Sequence, residues 1–257
     1  MIKLSAIIIA KNEERNIARC IDSLFGVIDE IVVFIDSGTT DNTIDIVKTY
    51  PNIKHQVVEW KGYSETKKAA LKETSSNWIF WIDADECITK ELKEELNDFK
   101  NSQPEYFAYS IPRKAFFLGK WIKHSGWYPG RVTRLFNKKE VSFSQNDVHE
   151  HLIVKGGTGE LKRDLEHYTD PSIEHYFLKF NKYTTLAAEE LKKKGKKAGL
   201  SDLLLRPLNI FVKMYLIKLG FLDGVHGFIL AVFSSLYVFT KYCKLWELDN
   251  NSNMRLK

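Results

Sequence analysis

An α/β fold, with a mostly parallel sheet flanked by helices and followed by a C-terminal helical segment, is what this sequence predicts. Three observations carry that expectation. Short apolar runs rich in β-branched residues, LSAIIIA, EIVVFID, IKHQVVEW and WIFWID, recur between Leu4 and Asp83. Helical periods separate them, at Glu13 to Phe25, Asp41 to Tyr50 and Ser64 to Thr74. From about Pro171 the pattern becomes helical throughout. Alternation at this spacing marks βαβ crossovers, and strands apolar on both sides belong to the buried middle of the sheet.

Taken in order, the first run opens the sheet. A single lysine precedes it and no small-residue cleavage site follows, so it reads as a strand rather than a signal peptide, and a cytoplasmic protein is expected. Thr40 or Asp41 would cap the second helix and Ser64 or Thr66 the third, as side-chain oxygens do at helix starts. Tyr106 to Pro112 and Arg131 to Phe136 look like further strands. The connection between them, FFLGKWIKHSGWYPG, suits a hairpin or an active-site flap whose Trp121, Trp127 and Tyr128 either stack on a ligand or pack in a core. Helices are expected at Ile173 to Lys194, Ser201 to Leu219 and Gly224 to Glu247. The apolar stretch GFILAVFSSLYVF has 13 uncharged residues, short of the roughly 18–20 a membrane-spanning helix needs. Beside the run Lys192 to Lys197 it suits an interfacial helix on anionic headgroups, or else a buried hairpin. The implied organisation is a ligand-binding α/β half over residues 1–102, a second half of the same domain over 103–170, and a helical, membrane-proximal tail over 171–257.

Composition narrows the function classes. With 257 residues, 44% hydrophobic, 14 Gly and 6 Pro, the chain is neither collagen-like nor disordered. Its three cysteines are far apart, which excludes a disulfide framework and a cysteine zinc site. Of 38 basic and 33 acidic residues, 13 and 18 fall within 1–102, leaving 25 and 15 for the rest. The basic second part points to an anionic surface. The lysine run carries none of the interleaved aromatics expected of a nucleic-acid stripe, so no nucleic acid partner is expected.

In open parallel sheets ligands bind beyond the carboxyl ends of the strands. Asp83-Ala84-Asp85-Glu86 follows the strand WIFWI there. Two residues apart in an extended chain point the same way, so Asp83 and Asp85 would share one ligand while Ala84 packs behind. Such a pair suits a divalent cation that also takes phosphate oxygens. The loop FIDSGTTDNT sets Asp36 at a second strand end, able to accept hydrogen bonds from a ribose or a base. The first loop adds Ala10, Lys11, Asn12 and Glu14 at the same rim, and Lys67 on the third crossover can reach a phosphate. Arg131 and Arg134, in GRVTRLF, can bind a diphosphate or an anionic acceptor through their planar forks, or pair on the surface.

The order IIIAKNEERNIARCIDSL, DSGTTDNT, GYSETKKAAL and NWIFWIDADE, continued by GWYPGRVTRLF, DVHEHLIVKGG and RPLNIFVKMYLIKLGFLDGVHGF, resembles the family 2 glycosyltransferases over most of the chain. Within that family it is most similar to the lipopolysaccharide core β-1,4-glucosyltransferase subgroup. The resemblance implies a GT-A (Rossmann-like) fold and an inverting hexosyltransferase that uses a UDP-sugar, with glucose as the expected hexose. It implies Mg²⁺ or Mn²⁺ as cofactor, a lipopolysaccharide-core or lipid-linked glycan acceptor, and peripheral contact with the inner face of the cytoplasmic membrane. Asp36 would then hold the uracil or ribose, Asp83 the ribose and Asp85 the metal. Ala10, Asn12, Glu14, Lys67, Ala84, Arg131 and Arg134 complete the expected donor site. Inversion also needs a base opposite the leaving group. The resemblance places a His-Glu pair in Asp147-Val148-His149-Glu150-His151, making Glu150 the first candidate and Asp147 the second. His149 would orient Glu150, line the acceptor site or complete the metal shell. Two other functions compete: a nucleotidyltransferase, although IIIAKNEE lacks the glycines of such first loops, and a non-enzymatic membrane-surface binding module.

Overall fold

The computed structural model describes residues 1–60, 62–143 and 152–254. The chain forms two compact units: Met1–Lys114 with Gly130–Tyr168, and Ala115–Pro129 with Thr169–Lys257. It therefore passes from one to the other three times.

The first unit is built on a seven-stranded sheet. Its central strands β1 (Leu4–Ala10), β2 (Glu30–Asp36) and β4 (Trp78–Asp83) are those with uninterrupted apolar runs, and nearly every side chain in them is buried. β1 lies between β2 and β4, parallel to both, and β3 (Lys54–Val58) closes the edge beside β2. As an edge strand β3 is mostly exposed, consistent with its polar KHQ start. On the other side β9 (Val132–Asn137) runs antiparallel between β4 and β6 (Ala108–Ile111), and β12 (Gly159–Glu160) extends the sheet parallel to β6. The sheet is α/β and mostly parallel, as the alternation predicts.

Helices α1 (Ile17–Leu24), α2 (Thr43–Lys48) and α3 (Tyr63–Lys72) are the crossovers. α4 (Lys90–Lys100) was not foreseen; Thr89 caps it by accepting the Leu92 N–H at 3.1 Å. Cap positions differ from expectation. The residue preceding α2 is Asn42, with Asp41 one step earlier accepting the Thr43 N–H at 3.0 Å, while Gly62 precedes α3 and Thr66 lies inside that helix. Two small strands, β5 (Glu86–Ile88) and the start of β13 (Leu165–Asp170), pair antiparallel beneath the end of β4. A separate two-stranded ribbon joins β10 (Val141–Phe143) to β11 (Leu152–Val154).

Glu30, at the start of β2, gathers Lys54 Nζ at 2.7 Å, the Ser75 N–H at 2.7 Å and the Ser5 hydroxyl. Burial pushes its carboxyl up, but these donors outweigh burial and hold it down at about 2. A folded pKa below the unfolded value of 4.5 stabilises the protein above that value and is lost as pH falls toward about 2. Denaturant titrations over this window are expected to lose about 3 kcal/mol, and Glu30→Gln to remove that pH-dependent component.

The second unit is helical. α5 (Ile173–Lys193), α6 (Leu200–Val212) and α7 (Gly224–Met254) pack together, with Ala188, Tyr242 and Leu245 buried among Leu191 and Leu203. The predicted helix ending at Leu219 stops being α-helical after Val212. A π-helical turn, Lys213–Ile217, and a 3₁₀ turn, Gly220–Asp223, follow it and lead into α7. α6 accommodates Pro207 internally, and Ser235 on α7 donates to the Pro207 carbonyl at 2.9 Å. α7 folds back closely on the 3₁₀ turn at Gly227, where a Cβ would sit 1.9 Å from the Gly220 carbonyl oxygen. The short hairpin formed by the last residues of β7 (Arg113–Phe117) with β8 (Lys120–Trp121) packs Phe117 and Ile122 against Leu230. Trp127 packs in the same cluster, and Trp121 meets the Tyr128 ring edge-on at 5.4 Å.

Candidate functional site

Strand register decides which residues meet in the first unit. Ile9 lies opposite Asp83, and Ala10 opposite Ile35, so the carboxyl ends of β1, β2 and β4 finish side by side. The three loops singled out by sequence leave the sheet at this one edge.

The first two loops are stitched together. Lys11 Nζ donates to Asp36 at 2.8 Å, and the Gly38 N–H donates to the other Asp36 oxygen at 2.7 Å. The lysine hydrogen bond holds the Asp36 carboxyl below its ordinary range despite burial, so it is a charged acceptor at neutral pH. Asn12, in the left-handed region at φ 54°, accepts the Thr40 N–H at 2.8 Å, and Glu14 accepts from the Asn42 side chain at 2.9 Å. Asn12 and Glu14 thus brace the loop that carries Asp36. Beside β2 and α3 the fold leaves a cavity of about 410 Å³ lined by Phe34, Val58, Glu65, Thr66 and Ala69. Lys67 on α3 stands over the Trp81 ring at 4.3 Å.

The third loop is organised differently from expectation. β4 ends at Asp83 and the chain turns at Ala84 and Asp85 into β5, so the extended period of two stops before Asp85. Ala84 is buried in the core, as predicted. The Cys20 thiol reaches the Asp83 carbonyl at 3.6 Å, and Ser23 accepts the Ile88 N–H at 3.2 Å, so α1 supports this turn from below.

The two aspartates take different partners. Asp83, about half exposed, pairs with Arg134 on β9. The same guanidinium donates to Glu86 at 2.8 Å, and Glu86, fully buried, also accepts the Asp83 N–H at 3.1 Å. Arg113 approaches Glu86 at 3.7 Å. Burial drives the Glu86 carboxyl upward while Arg134 pulls against it, so this ion pair locks the turn. Asp85 instead faces His167 on β13, Oδ2 to Nε2 at 3.3 Å, both side chains about 15% exposed. The Asp85 carbonyl accepts the Tyr168 N–H at 2.9 Å, fixing β13 beside the loop. Nδ1 of His167 has no hydrogen-bond partner among the described residues.

Sequence reading singled out neither Glu86 nor His167. His167 lies far along the chain from Asp85, and only the pairing of β5 with β13 brings the two together. A carboxylate oxygen and an imidazole nitrogen at this spacing form a donor set that fits Mn²⁺ better than the oxygen-seeking Mg²⁺, with phosphate oxygens and water supplying the rest. Among the described residues no group of three or more such side chains forms a complete shell. Arg131 is turned to structural use, donating to the Ser110 hydroxyl at 3.1 Å and to the Ser110 and Leu161 carbonyls at 3.0 and 2.6 Å. Asp147, His149 and Glu150 lie outside the described residues.

Comparison with known proteins follows this geometry. The family model described as Glycosyl transferase family 2 matches residues 5–154. The lipopolysaccharide core biosynthesis glycosyltransferase LpsC of Rhizobium meliloti (strain 1021) is 30% identical over 250 residues, spanning 95% of this chain and 92% of LpsC. The uncharacterized glycosyltransferase RT0209 of Rickettsia typhi is 32% identical over 263 residues, covering 98% of this chain and 89% of its own length. Among solved structures, the mannosyltransferase PcManGT from Pyrobaculum calidifontis, in complex with GDP-Man and Mn²⁺, aligns with a TM-score of 0.54 at 13% identity, covering 95% of this chain and 86% of PcManGT.

Proposed function

Since the chain belongs to glycosyl transferase family 2 and is a glycosyltransferase, we propose that it transfers a hexose, glucose in the first instance, from a UDP-sugar with inversion at the anomeric carbon. The proposed acceptor is a lipopolysaccharide-core or lipid-linked glycan, met at the cytoplasmic face of the inner membrane. Similarity to LpsC along nearly the whole chain supports that choice. The observation that carries the proposal is the Asp85–His167 pair, 3.3 Å apart at the carboxyl edge of the sheet where Asp36 and Asp83 also stand.

In this mechanism Asp36, charged and nearly buried, accepts hydrogen bonds from the uracil or ribose. Asp83, half exposed and steered by Arg134, accepts from the ribose, and Lys67 adds positive charge for phosphate. Asp85 and His167 would hold Mg²⁺ or Mn²⁺, whose chemistry is to neutralise the negative charge of the departing UDP. Glu150 removes the proton of the acceptor hydroxyl as its oxygen bonds to the anomeric carbon and the bond to UDP breaks. Asp147 is the alternative base, and His149 orients Glu150 or joins the metal shell.

A panel of nucleotide sugars scored by UDP release, with and without Mn²⁺, tests the proposal. Metal-dependent UDP release is expected, and Asp85→Ala or His167→Ala should lower it about 10²–10³-fold, as when one stabiliser of leaving charge is removed. Pyrophosphate release would favour a nucleotidyltransferase. Absence of nucleotide binding at every metal concentration would favour a binding module.

A further inference from the structure

The turn between α6 and α7 combines three properties. First, it is apolar and exposed: Leu216, Ile217, Leu219, Phe221, Leu222 and Val225 are each 44–70% accessible. At the same turn Phe211, Tyr215, Phe221 and Phe228 form a ring cluster with centroids 5.4–6.3 Å apart, in which Phe221 and Phe228 are themselves exposed. Monomeric proteins rarely leave so many large apolar side chains uncovered in one short stretch. Second, the turn is rigidly held within its unit. The buried Asp223 carboxylate accepts the Lys123 and His124 N–H groups at 3.2 and 2.9 Å, and Lys120 Nζ donates to the Asp223 carbonyl at 2.8 Å. Third, its surroundings are basic. Residues 192–228 contain eight Lys or Arg, including exposed Lys213 and Lys218 on the turn itself, and two acidic residues. One of those, Asp202, is paired with Arg206, and the other is the buried Asp223.

We infer that the α6–α7 turn, Lys213 to Phe228, is a monotopic docking surface that enters one leaflet of an anionic bilayer. Apolar side chains at the apex enter the acyl boundary while Lys213 and Lys218 stay at headgroup level, the division seen in interfacial anchors. Charge selects this occupant over a second copy of the chain, because two such basic turns would repel each other. Residues Gly220–Asn250 form a helix long and apolar enough to cross a bilayer. Only one side of it is committed to protein, where Lys244 donates to the Asn181 carbonyl and to the Thr184 and Thr185 hydroxyls of α5, and Ser235 bonds α6. To span alone the helix would have to leave α5 and α6 and carry Lys244 into hydrocarbon without these acceptors, so insertion is confined to the turn. This assignment rests on the proposed glycolipid acceptor only for its biological purpose, since it places the enzyme where that acceptor lies.

The full chain is sedimented with phosphatidylcholine vesicles and with vesicles that also carry phosphatidylglycerol. Binding to the anionic vesicles, weakened by salt, is expected. The double variant I217E/L222E should lose more than tenfold in partitioning while its thermal transition and its UDP release with a soluble acceptor stay at the parent level. Four outcomes would overturn the inference: no vesicle binding, undiminished binding by the double variant, resistance of the membrane-bound protein to alkaline extraction, or concentration-dependent self-association abolished by the same substitutions. Vesicle binding without UDP release from any donor would remove the transferase mechanism and leave the docking surface standing.

Discussion

Arg134→Ala is expected to lower the unfolding free energy by about 3–5 kcal/mol, the cost of leaving a buried charge without its partner. Glu86 is the charge in question. Its side chain is fully buried, Arg134 donates to it at 2.8 Å, and the other cation nearby, Arg113, stands off at 3.7 Å. Without Arg134 the Glu86 carboxyl, already pushed upward by burial, rises further and takes up a proton on folding. A folded pKa above the unfolded one costs stability at high pH and regains it as pH falls through the folded value, so the deficit should shrink in acid. The double variant R134M/E86Q should recover much of the loss, because it removes the charge together with its partner. Urea midpoints of the parent, single and double variants measure both effects. If the single variant is as stable as the parent, the pair does not lock the turn.

Glu150→Gln is expected to cut turnover by about 10²–10⁴-fold, the range for removing a general base, with UDP affinity near that of the parent. A base acts as the acceptor oxygen forms its new bond, and so contributes to the transition state far more than to holding the donor. Calorimetric titration of UDP with Mn²⁺ separates the two quantities from the rate. An equal fall on Asp147→Asn, with none at Glu150, would move the role to Asp147. The contrast with Asp85 is diagnostic: its loss should weaken both donor binding and rate, because the metal it is proposed to hold would meet the diphosphate in the ground state as well.

The central strands were legible because β1, β2 and β4 are buried on both faces and carry runs that only a sheet interior explains. Their carboxyl ends then told where to look, and Asp36, Asp83 and Asp85 could be read as a set because each follows such a run. The partners of those residues were not legible. By sequence Arg134 can bind a diphosphate or an anionic acceptor, or form an ion pair, and it pairs with Asp83 and the buried Glu86. Nothing local in GRVTRLF distinguishes the two uses; only the antiparallel placement of β9 beside β4 decides. His167 sits in a strand, LEHYTD, whose alternation says little, and its meeting with Asp85 depends on the three-residue strand β5. Helix α4 escaped notice because its sequence, KELKEELNDFK, is mostly charged and shows its apolar face only at Leu92, Leu96 and Phe99. Tertiary pairing between short, distant segments is the information a periodicity cannot hold.

The chain crosses between its two units after Lys114, Pro129 and Tyr168, so neither unit is one continuous stretch. Ala115–Pro129 lends Lys123 and His124 to the Asp223 carboxylate, an attachment made within the helical unit by a segment from the middle of the sequence. A chimera that grafts a relative's helical tail at residue 170 would therefore confront the new tail with a foreign clasp. Exchanging the helical unit between members of this family calls for transplanting both pieces at once, and a protease nick near Pro129 should leave the fragments associated rather than free a separable tail.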